Sequence, residues 1–357
     1  AFVGWEMCGM SSFLLIGYAW QRQVATGNAL FAFVTNRGGD AGFLLALGLA
    51  ANWLGSFEWH VINQPGALTL VNTHLLVLGF VVAALAKSAQ LPFTPWIARA
   101  LEGPTPSSAI FYGAVMVHAG VYLLLRISPL LAQVPDVMIP LAAVGLLTAI
   151  YAWLCGLVQT DVKSALIFAT VFQVALMVVA IGFGWTTLAA FHLGLHAAWR
   201  TWQFLLAPSW LALTHARPAP APRWLRQHQW LYTAAMQRFW LDKLAIGLLV
   251  KPTLSFSQDV RGLEENFIDR LLGEPGKGKP VHAERPLVVA DGLPGLALAK
   301  LSEMLERLEN HLLLRGRGGV AEQLLHRAGH YLRVVENLLE QPRYLMMAVM
   351  ATFVVIL

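Results

Sequence analysis

Long hydrophobic runs dominate the first two-thirds of this sequence. A helix needs about 20 apolar residues to cross the roughly 30 Å hydrocarbon core of a bilayer. Seven runs approach or exceed that length, at 1–20, 30–54, 68–90, 107–133, 137–158, 163–183 and 186–212. They lack the alternation of barrel strands, so helices must satisfy the backbone hydrogen bonds in lipid. The sequence therefore predicts an all-α, polytopic transmembrane helix bundle.

Composition and charge agree with a membrane location. Hydrophobic residues make up 57% of the sequence and charged residues only 13%, whereas soluble domains carry about 25% charged residues. Residues 1–200 hold 13 Asp, Glu, Lys and Arg, and residues 201–357 hold 32. The net charge of +5 suits basic residues beside anionic lipid. Because acidic residues lie among the basic ones, we do not expect nucleic-acid binding. We expect an integral protein of the bacterial cytoplasmic (inner) membrane.

Composition also divides the chain into five segments. They are a transmembrane body at 1–212, a Pro-rich linker at 213–226, an amphipathic segment and loop at 227–295, an amphipathic arm at 296–343 and an anchoring membrane helix at 344–357. The arm carries an apolar stripe but no second element to cover it. We therefore expect it to lie along the membrane and to contact another membrane subunit. We also expect the natural protein to extend beyond the N-terminus of this sequence.

Lys87 is the most informative ionisable residue in the apolar runs. A charge at membrane depth is costly and is by default a functional hypothesis. Pro92 follows five residues later, and a proline inside a helix breaks or kinks it. The sequence thus predicts a broken helix with Lys87 at the break, although an interfacial lysine would read the same way. Glu6 lies in another run and is either a second functional charge or a residue at a helix end.

Three polar residues share one face of the last run in the body. His192, His196 and Arg200 are spaced four residues apart, which aligns them along one helix face. Histidine titrates near neutral pH, so this stripe favours a proton relay. Metal binding is the rival interpretation, but no carboxylate or cysteine accompanies the stripe, and we predict no metal. His118 is either another relay residue or a buried core histidine.

Two further charged pairs have a functional and a structural interpretation. Arg37 and Asp40 lie three residues apart near a helix start, where they form either a functional ion pair or an ordinary one. Asp161 precedes Lys163 and is as consistent with helix capping as with function. The sequence contains no Gly-rich phosphate loop, cysteine series or nucleophile elbow, so we predict no cofactor and no redox chemistry of its own.

Several short motifs resemble one known family in their order along the chain. They are Gly4-Trp5-Glu6, Asn36-Arg37-Gly38-Gly39-Asp40, Ala86-Lys87-Ser88-Ala89-Gln90-Leu91-Pro92-Phe93, Glu102-Gly103-Pro104-Thr105-Pro106-Ser107-Ser108-Ala109, Thr160-Asp161-Val162-Lys163 and Phe191-His192-Leu193-Gly194-Leu195-His196-Ala197. Together they resemble the antiporter-like, proton-translocating subunits of respiratory complex I, above all its subunit L, and the Mrp-type cation/proton antiporters.

The resemblance implies a role for each of these charges. It implies that Glu6 pairs with the broken-helix Lys87, while Arg37 and Asp40 belong to the ion-pair chain. It also implies a central polar axis formed by Lys163, His192 and His196. The implied function is proton translocation within a multi-subunit, energy-converting membrane assembly.

The sequence departs from the family pattern in several places. Tyr112 stands where the family commonly has His, Arg200 stands where it has Lys, and Phe93-Thr94-Pro95-Trp96 replaces the usual pattern after the break. A second broken helix, with about three membrane helices, is missing before residue 227. This shortening keeps two alternatives open: the membrane subunit of a DAB-type inorganic-carbon accumulation system, and a non-pumping scaffold subunit.

Overall fold

A computed structural model describes residues 1–214, 220–263, 300 and 303–304. Within those residues the chain folds entirely into helices and their connections, which confirms the predicted all-α class. The arm and the terminal anchor lie outside the described residues, apart from Lys300, Glu303 and Met304. Contacts divide the chain into one compact unit at Ala1–Lys251 and a second at Pro252–Leu357.

Each of the seven predicted runs contains a long helix or a pair of consecutive helices. The helices up to residue 214 are α1 Phe2–Ile16, α2 Gln23–Leu54, α3 Trp59–Ile62, α4 Leu70–Lys87, α5 Pro95–Arg99, α6 Thr105–Ser108, α7 Met116–Arg126, α8 Ser128–Leu131, α9 Pro135–Gly156, α10 Val162–Gly182 and α11 Thr186–Thr214. A 3₁₀ turn, Ala100–Glu102, follows α5, and a π-helical segment, Ala109–Ala114, joins α6 to α7.

Four helical spans among the described residues are long and apolar enough to cross a membrane. They are Leu70–Lys87, Thr105–Arg126, Pro135–Gly156 and Val162–Gly182, and Phe2–Ile16 is a shorter apolar helix. The 32-residue α2 carries Arg37 and Asp40 near its middle. These spans support the classification of the chain as an integral membrane protein.

Close glycine contacts bring α2 against α4. A Cβ atom built on Gly42 would lie 2.7 Å from the carbonyl oxygen of Gly79, and one built on Gly79 would lie 2.7 Å from that of Gly42. Small residues let helix backbones approach in this way in membranes. One turn before Gly42, Gly39 faces Ala86 in the same manner. The contact therefore places the middle of α2 beside the C-terminal end of α4.

The predicted helix break lies directly after Lys87. Helix α4 ends at Lys87, the Leu91–Pro92 peptide bond is cis, and α5 begins at Pro95. The amide of Gln90 donates to the carbonyl oxygen of Ser88 at 2.9 Å. A side chain thus satisfies the carbonyl that Pro92, which lacks an N–H group, leaves without its helical donor.

The segment after residue 219 continues in helices, and its part up to Lys251 folds back onto the bundle. It contains α12 Arg223–Gln227, α13 Gln229–Met236, a 3₁₀ turn at Arg238–Trp240, α14 Leu241–Ala245, a π-helical segment at Ile246–Val250 and α15 Lys251–Leu263. Asp242 accepts hydrogen bonds from the Nε and Nη2 atoms of Arg99 on α5, at 3.2 and 3.0 Å. Phe239 packs against Tyr151 of α9, with ring centroids 5.8 Å apart.

Candidate functional site

Four charged residues from α1, α2 and α4 form one continuous ion cluster. Arg37 forms salt bridges with Glu6 and with Asp40, the latter at 2.8 Å between Nη2 and Oδ2. The Nζ atom of Lys87 lies 3.5 Å from Oδ1 of Asp40. Glu6 therefore pairs with Arg37, and not directly with Lys87 as the resemblance implied. The reason is that Arg37 and Asp40 of α2 stand between the helices that carry the expected partners.

The cluster is deeply buried at its Lys87 end. The side chains of Lys87 and Asp40 are 1% and 3% exposed, whereas those of Glu6 and Arg37 are 24% and 36% exposed. Among the described residues, Nζ of Lys87 has no partner with hydrogen-bond geometry. Its ammonium group is thus held by charge and by one long contact, which leaves it freer to change partners than a fully hydrogen-bonded lysine.

Trp5 is a member of this site that sequence reasoning missed. Its indole Nε1 donates a hydrogen bond to Oδ1 of Asp40 at 2.5 Å, and its ring lies 4.9 Å from Nζ of Lys87. The signal in the sequence was its place immediately before Glu6. Asp40 therefore contacts three groups at once: it accepts the hydrogen bond of Trp5 and forms ion pairs with Arg37 and Lys87.

A second polar group joins α7 to α11. Nε2 of His118 lies 2.9 Å from Nδ1 of His196, and Nε of Arg200 lies 3.4 Å from Nε2 of His196. An arginine only donates hydrogen bonds, so a neutral His196 accepts at Nε2 and carries its proton on Nδ1. That proton then points at Nε2 of His118. The ring of His192 packs edge-on against that of His196, with centroids 6.1 Å apart, and its Nε2 bonds to Oε1 of Gln173 on α10 at 2.9 Å.

Ser88 connects the surroundings of the two groups. It follows Lys87 directly, and its hydroxyl donates to the carbonyl oxygen of Val117 at 2.7 Å. Val117 in turn precedes His118. This hydrogen bond holds the helix break against α7 at the residue before His118.

Lys163 and Asp161 lie in neither group. Asp161 caps α10 by accepting the backbone N–H of Ser164 at 2.8 Å, which is the structural alternative. Nζ of Lys163 donates to the carbonyl oxygens of Leu101 and Gly103 at 3.4 and 3.3 Å. Lys163, at the start of α10, thus lies at one end of the bundle and contacts the connection that follows α5.

Tyr112 lies in the π-helical segment before α7. Its hydroxyl is 3.1 Å from that of Ser12 on α1, and its ring packs against Trp96 at 6.0 Å between centroids. The hydroxyl of Tyr112 thus bonds to α1. In the part of the chain that the structure describes, no three His, Cys, Asp or Glu side chains gather as a metal site would require.

Comparison with known proteins identifies the family. The family profile described as "NADH:quinone oxidoreductase/Mrp antiporter, TM" matches residues 1–248. The chain belongs to this family. The match confirms the resemblance that the motifs had indicated, because it covers all six of them and more than half of the chain.

Individual curated relatives match more than half of this chain. The NAD(P)H-quinone oxidoreductase subunit 5 of the Paulinella chromatophora organellar chromatophore is 39% identical over 212 residues, which are 57% of this chain and 32% of that protein. The NADH-ubiquinone oxidoreductase chain 5 of Metridium senile is 41% identical over 209 residues, which are 58% of this chain and 35% of that protein. The chain thus matches about a third of the length of these curated relatives.

A solved structure supports the fold. The Mrp complex from Dietzia sp. DQ12-45-1b contains a chain that aligns with a TM-score of 0.55 at 19% identity, covering 100% of this chain and 49% of that chain. At this identity, the likeness concerns the fold alone.

Proposed function

We propose that this chain is a proton-translocating membrane subunit of a complex I-like or related energy-converting assembly. It moves protons along buried Glu, Lys and His side chains and performs no redox chemistry itself. The observation that carries the proposal is Lys87, which is buried at a helix break within an ion cluster. Broken helices at membrane depth occur where they line a cavity or are packed in protein.

The ion cluster gives Lys87 a way to release a proton. Asp40 has two cationic partners, Lys87 and Arg37, and Arg37 in turn has two anionic partners, Asp40 and Glu6. When Arg37 draws Asp40 away, Lys87 loses its counter-charge in a medium of low dielectric constant, where an unpaired ammonium is costly. Release of its proton removes that cost. Return of Asp40 favours reprotonation, so ion-pair exchange drives proton movement.

The histidine group is the proposed continuation of the path. His196 and His118 are hydrogen-bonded to each other, so a proton delivered to one ring can be passed on by exchange of tautomers. Arg200 remains charged and therefore supplies an electric field without carrying the proton. In this proposal His192 and Lys163 extend the path, with Lys163 at the end of the bundle. In this proposal partner subunits supply the rest of the path.

Basic residues support an orientation for the bundle. The connections after α1, α5 and α9 lie at one end of the bundle. Arg22 forms an ion pair with Glu102 there, and Lys163 contacts Gly103. Contact of Asn63 with the carbonyl of Arg126 marks the opposite end. The first end carries Arg22, Arg99 and Lys163, and the second carries Arg126. Cytoplasmic loops are enriched in Lys and Arg, so we assign the first end to the cytoplasmic side.

Partner subunits and location complete this proposal. The relatives named above are subunits or parts of larger complexes by their titles, and we propose the same for this chain. The arm at 296–343 would contact at least one partner, and the assembly would lie in a bacterial inner membrane. If residues 296–357 are deleted, we expect the partner to be lost on purification while the body remains folded.

One observation favours a second candidate function. Helix α11 ends at Thr214 and α12 begins at Arg223, so only eight residues of the chain separate the two helices. The DAB-type inorganic-carbon system uses shortened members of this kind. Purification of the native assembly decides between the two. Iron–sulfur and quinone-site subunits would support the first function, and a large carbonic-anhydrase-like partner would support the second. A pure scaffold is disfavoured by the buried charges, whose burial is costly.

The central test replaces Lys87 by Met within the intact assembly. Proton translocation is followed with a pH-sensitive dye in vesicles that contain the reconstituted complex. We expect Lys87→Met to abolish translocation while assembly survives, because the variant keeps the side-chain volume and removes the titrating group. Lys243→Met, at an exposed lysine, is the matched control and should translocate normally. Normal translocation by Lys87→Met would refute the proposed function.

A further inference from the structure

Helix α1 presents two residues to Lys87, namely Trp5 and Gly9. They lie four residues apart and therefore share one helix face, one turn from each other. Trp5 is buried, with 8% of its surface exposed, and Gly9 is buried too. Neither residue titrates, so neither can carry a proton, and both act only through the position of their charged neighbours.

Trp5 contacts both members of the Lys87–Asp40 pair. Its N–H group fixes Oδ1 of Asp40 at 2.5 Å, and this is the oxygen that faces Lys87. Its ring lies 4.9 Å from the Lys87 ammonium, a distance at which a desolvated cation is attracted to the ring. The indole therefore offers Lys87 a second resting contact that carries no charge.

Gly9 leaves the space that the two cations of the cluster need. A Cβ atom at residue 9 would lie 3.1 Å from Nη2 of Arg37 and 3.2 Å from Nζ of Lys87. Both distances are shorter than ordinary van der Waals contacts, so either nitrogen would have to give way by a few tenths of an ångström. Gly4 on the same helix has no atom within 4 Å of the corresponding Cβ position.

We propose that Trp5 and Gly9 form a seat that positions the Lys87 ammonium between Asp40 and the indole ring. Both are thus positioning residues for the translocation step, and the inference rests on the proposed function. Trp5 fixes the acceptor oxygen, and the missing side chain of Gly9 lets Lys87 and Arg37 approach that acceptor together. A methyl group at residue 9 would push the two cations outward and lengthen the contact between Lys87 and Asp40.

The variant Gly9→Ala is expected to fold. The atoms that its methyl group would meet are the ends of long, flexible side chains. In addition, Gly9 and Arg37 line a cavity of about 10 Å³ between α1 and α2, which gives the guanidinium open space beside it. The change should therefore alter the spacing of the charges without displacing the helices.

The pH dependence of translocation reports the distance between Lys87 and Asp40. The ionisable groups that face Lys87 are Glu6 and Cys8 on α1 and Arg37 and Asp40 on α2, and His118 lies on α7, which packs against α4. Only the contacts of Lys87 and Arg37 change in Gly9→Ala. If Lys87 moves away from Asp40, its charged form loses support, and half-maximal translocation should occur at a lower pH.

The experiment compares Gly9→Ala with Gly4→Ala in the reconstituted, intact assembly, with rates normalised to the amount of assembled complex. We expect Gly9→Ala to lower translocation by about tenfold, since displacements of this order have large effects on reacting groups, and to shift the pH profile. Gly4→Ala should retain the rate and the profile. A defect in folding alone would lower the rate equally at every pH and would contradict the inference.

Trp5→Phe provides an independent measurement if Gly9→Ala does not assemble. It keeps an aromatic ring and removes the N–H donor to Asp40, so the pH profile should shift here too. Unchanged pH profiles in assembled Gly9→Ala and Trp5→Phe would refute the proposal that Trp5 and Gly9 position the Lys87 ammonium. If Lys87→Met is inactive while these variants behave as wild type, only the seat is refuted. If Lys87→Met translocates normally, the proposed function itself is refuted.

Discussion

His118 and His196 share one buried hydrogen bond of 2.9 Å between α7 and α11. Arg200 approaches the other nitrogen of His196, so the three side chains form a short row with a defined direction of donation. Both imidazoles are almost fully buried, at 3% and 5% exposure. A change at His196 therefore affects the polar contacts of two other residues.

Replacement of His196 by Gln should impair translocation more than stability. The glutamine amide can still bond to a neighbour, but it does not titrate near neutral pH. We expect translocation in vesicles to fall to background and the midpoint of thermal unfolding to drop only slightly. His60→Gln is the control, because His60 is 76% exposed and lies at the bundle end. Full translocation by His196→Gln would exclude this histidine from the path.

Asp40→Asn should destabilise the assembly as well as stop translocation. The change leaves Lys87 buried without a charged partner, and removal of one member of a buried ion pair costs roughly 3–5 kcal/mol. Thermal unfolding of the detergent-solubilised complex measures the loss. Asp259→Asn, at an exposed position, should leave the unfolding midpoint unchanged. An Asp40→Asn complex as stable as the wild type would show that Asp40 does not hold the charge of Lys87.

Lys163→Arg separates a structural role from proton transfer. Arginine can still donate to the carbonyls of Leu101 and Gly103, but it does not release its proton at neutral pH. We expect assembly and thermal stability close to wild type with reduced translocation. If translocation is also unchanged, Lys163 serves only to fasten the loop after α5.

Arg99→Met should loosen the segment that follows residue 219. Arg99 binds Asp242 and stacks over Phe31, 4.2 Å from its ring centroid. Because the ion pair is about a quarter exposed, we expect a modest loss of about 1 kcal/mol. Limited proteolysis between residues 220 and 240 should become faster, whereas the exposed Arg223→Met should leave the rate unchanged. Equal proteolysis rates for the two variants would contradict a clamp at Arg99.

The sequence alone predicted the helices and the break. A membrane helix depends on the length of one apolar run, and the break depends on a proline within such a run. The spacing of His196 and Arg200 likewise identified a shared face. The order of charges in the ion cluster could not be predicted this way. It depends on the contact of Gly42 with Gly79 between α2 and α4, which brings Arg37 and Asp40 of α2 beside Lys87. The role of Trp5 was missed for the same reason, since its acceptor lies 35 residues away on α2.

The ion cluster has a consequence for the electrical work of the subunit. Glu6, Arg37, Asp40 and Lys87 carry charges that sum to zero when Lys87 is protonated, so loss of its proton leaves one uncompensated negative charge. Asp40 lies near the middle of α2, and a proton that reaches the cluster from either surface crosses roughly half of the membrane voltage. A full crossing exchanges about 2.3 kcal/mol per 100 mV. Loading from one surface and release to the other would then each respond to voltage, and a membrane potential that opposes the crossing would slow both steps.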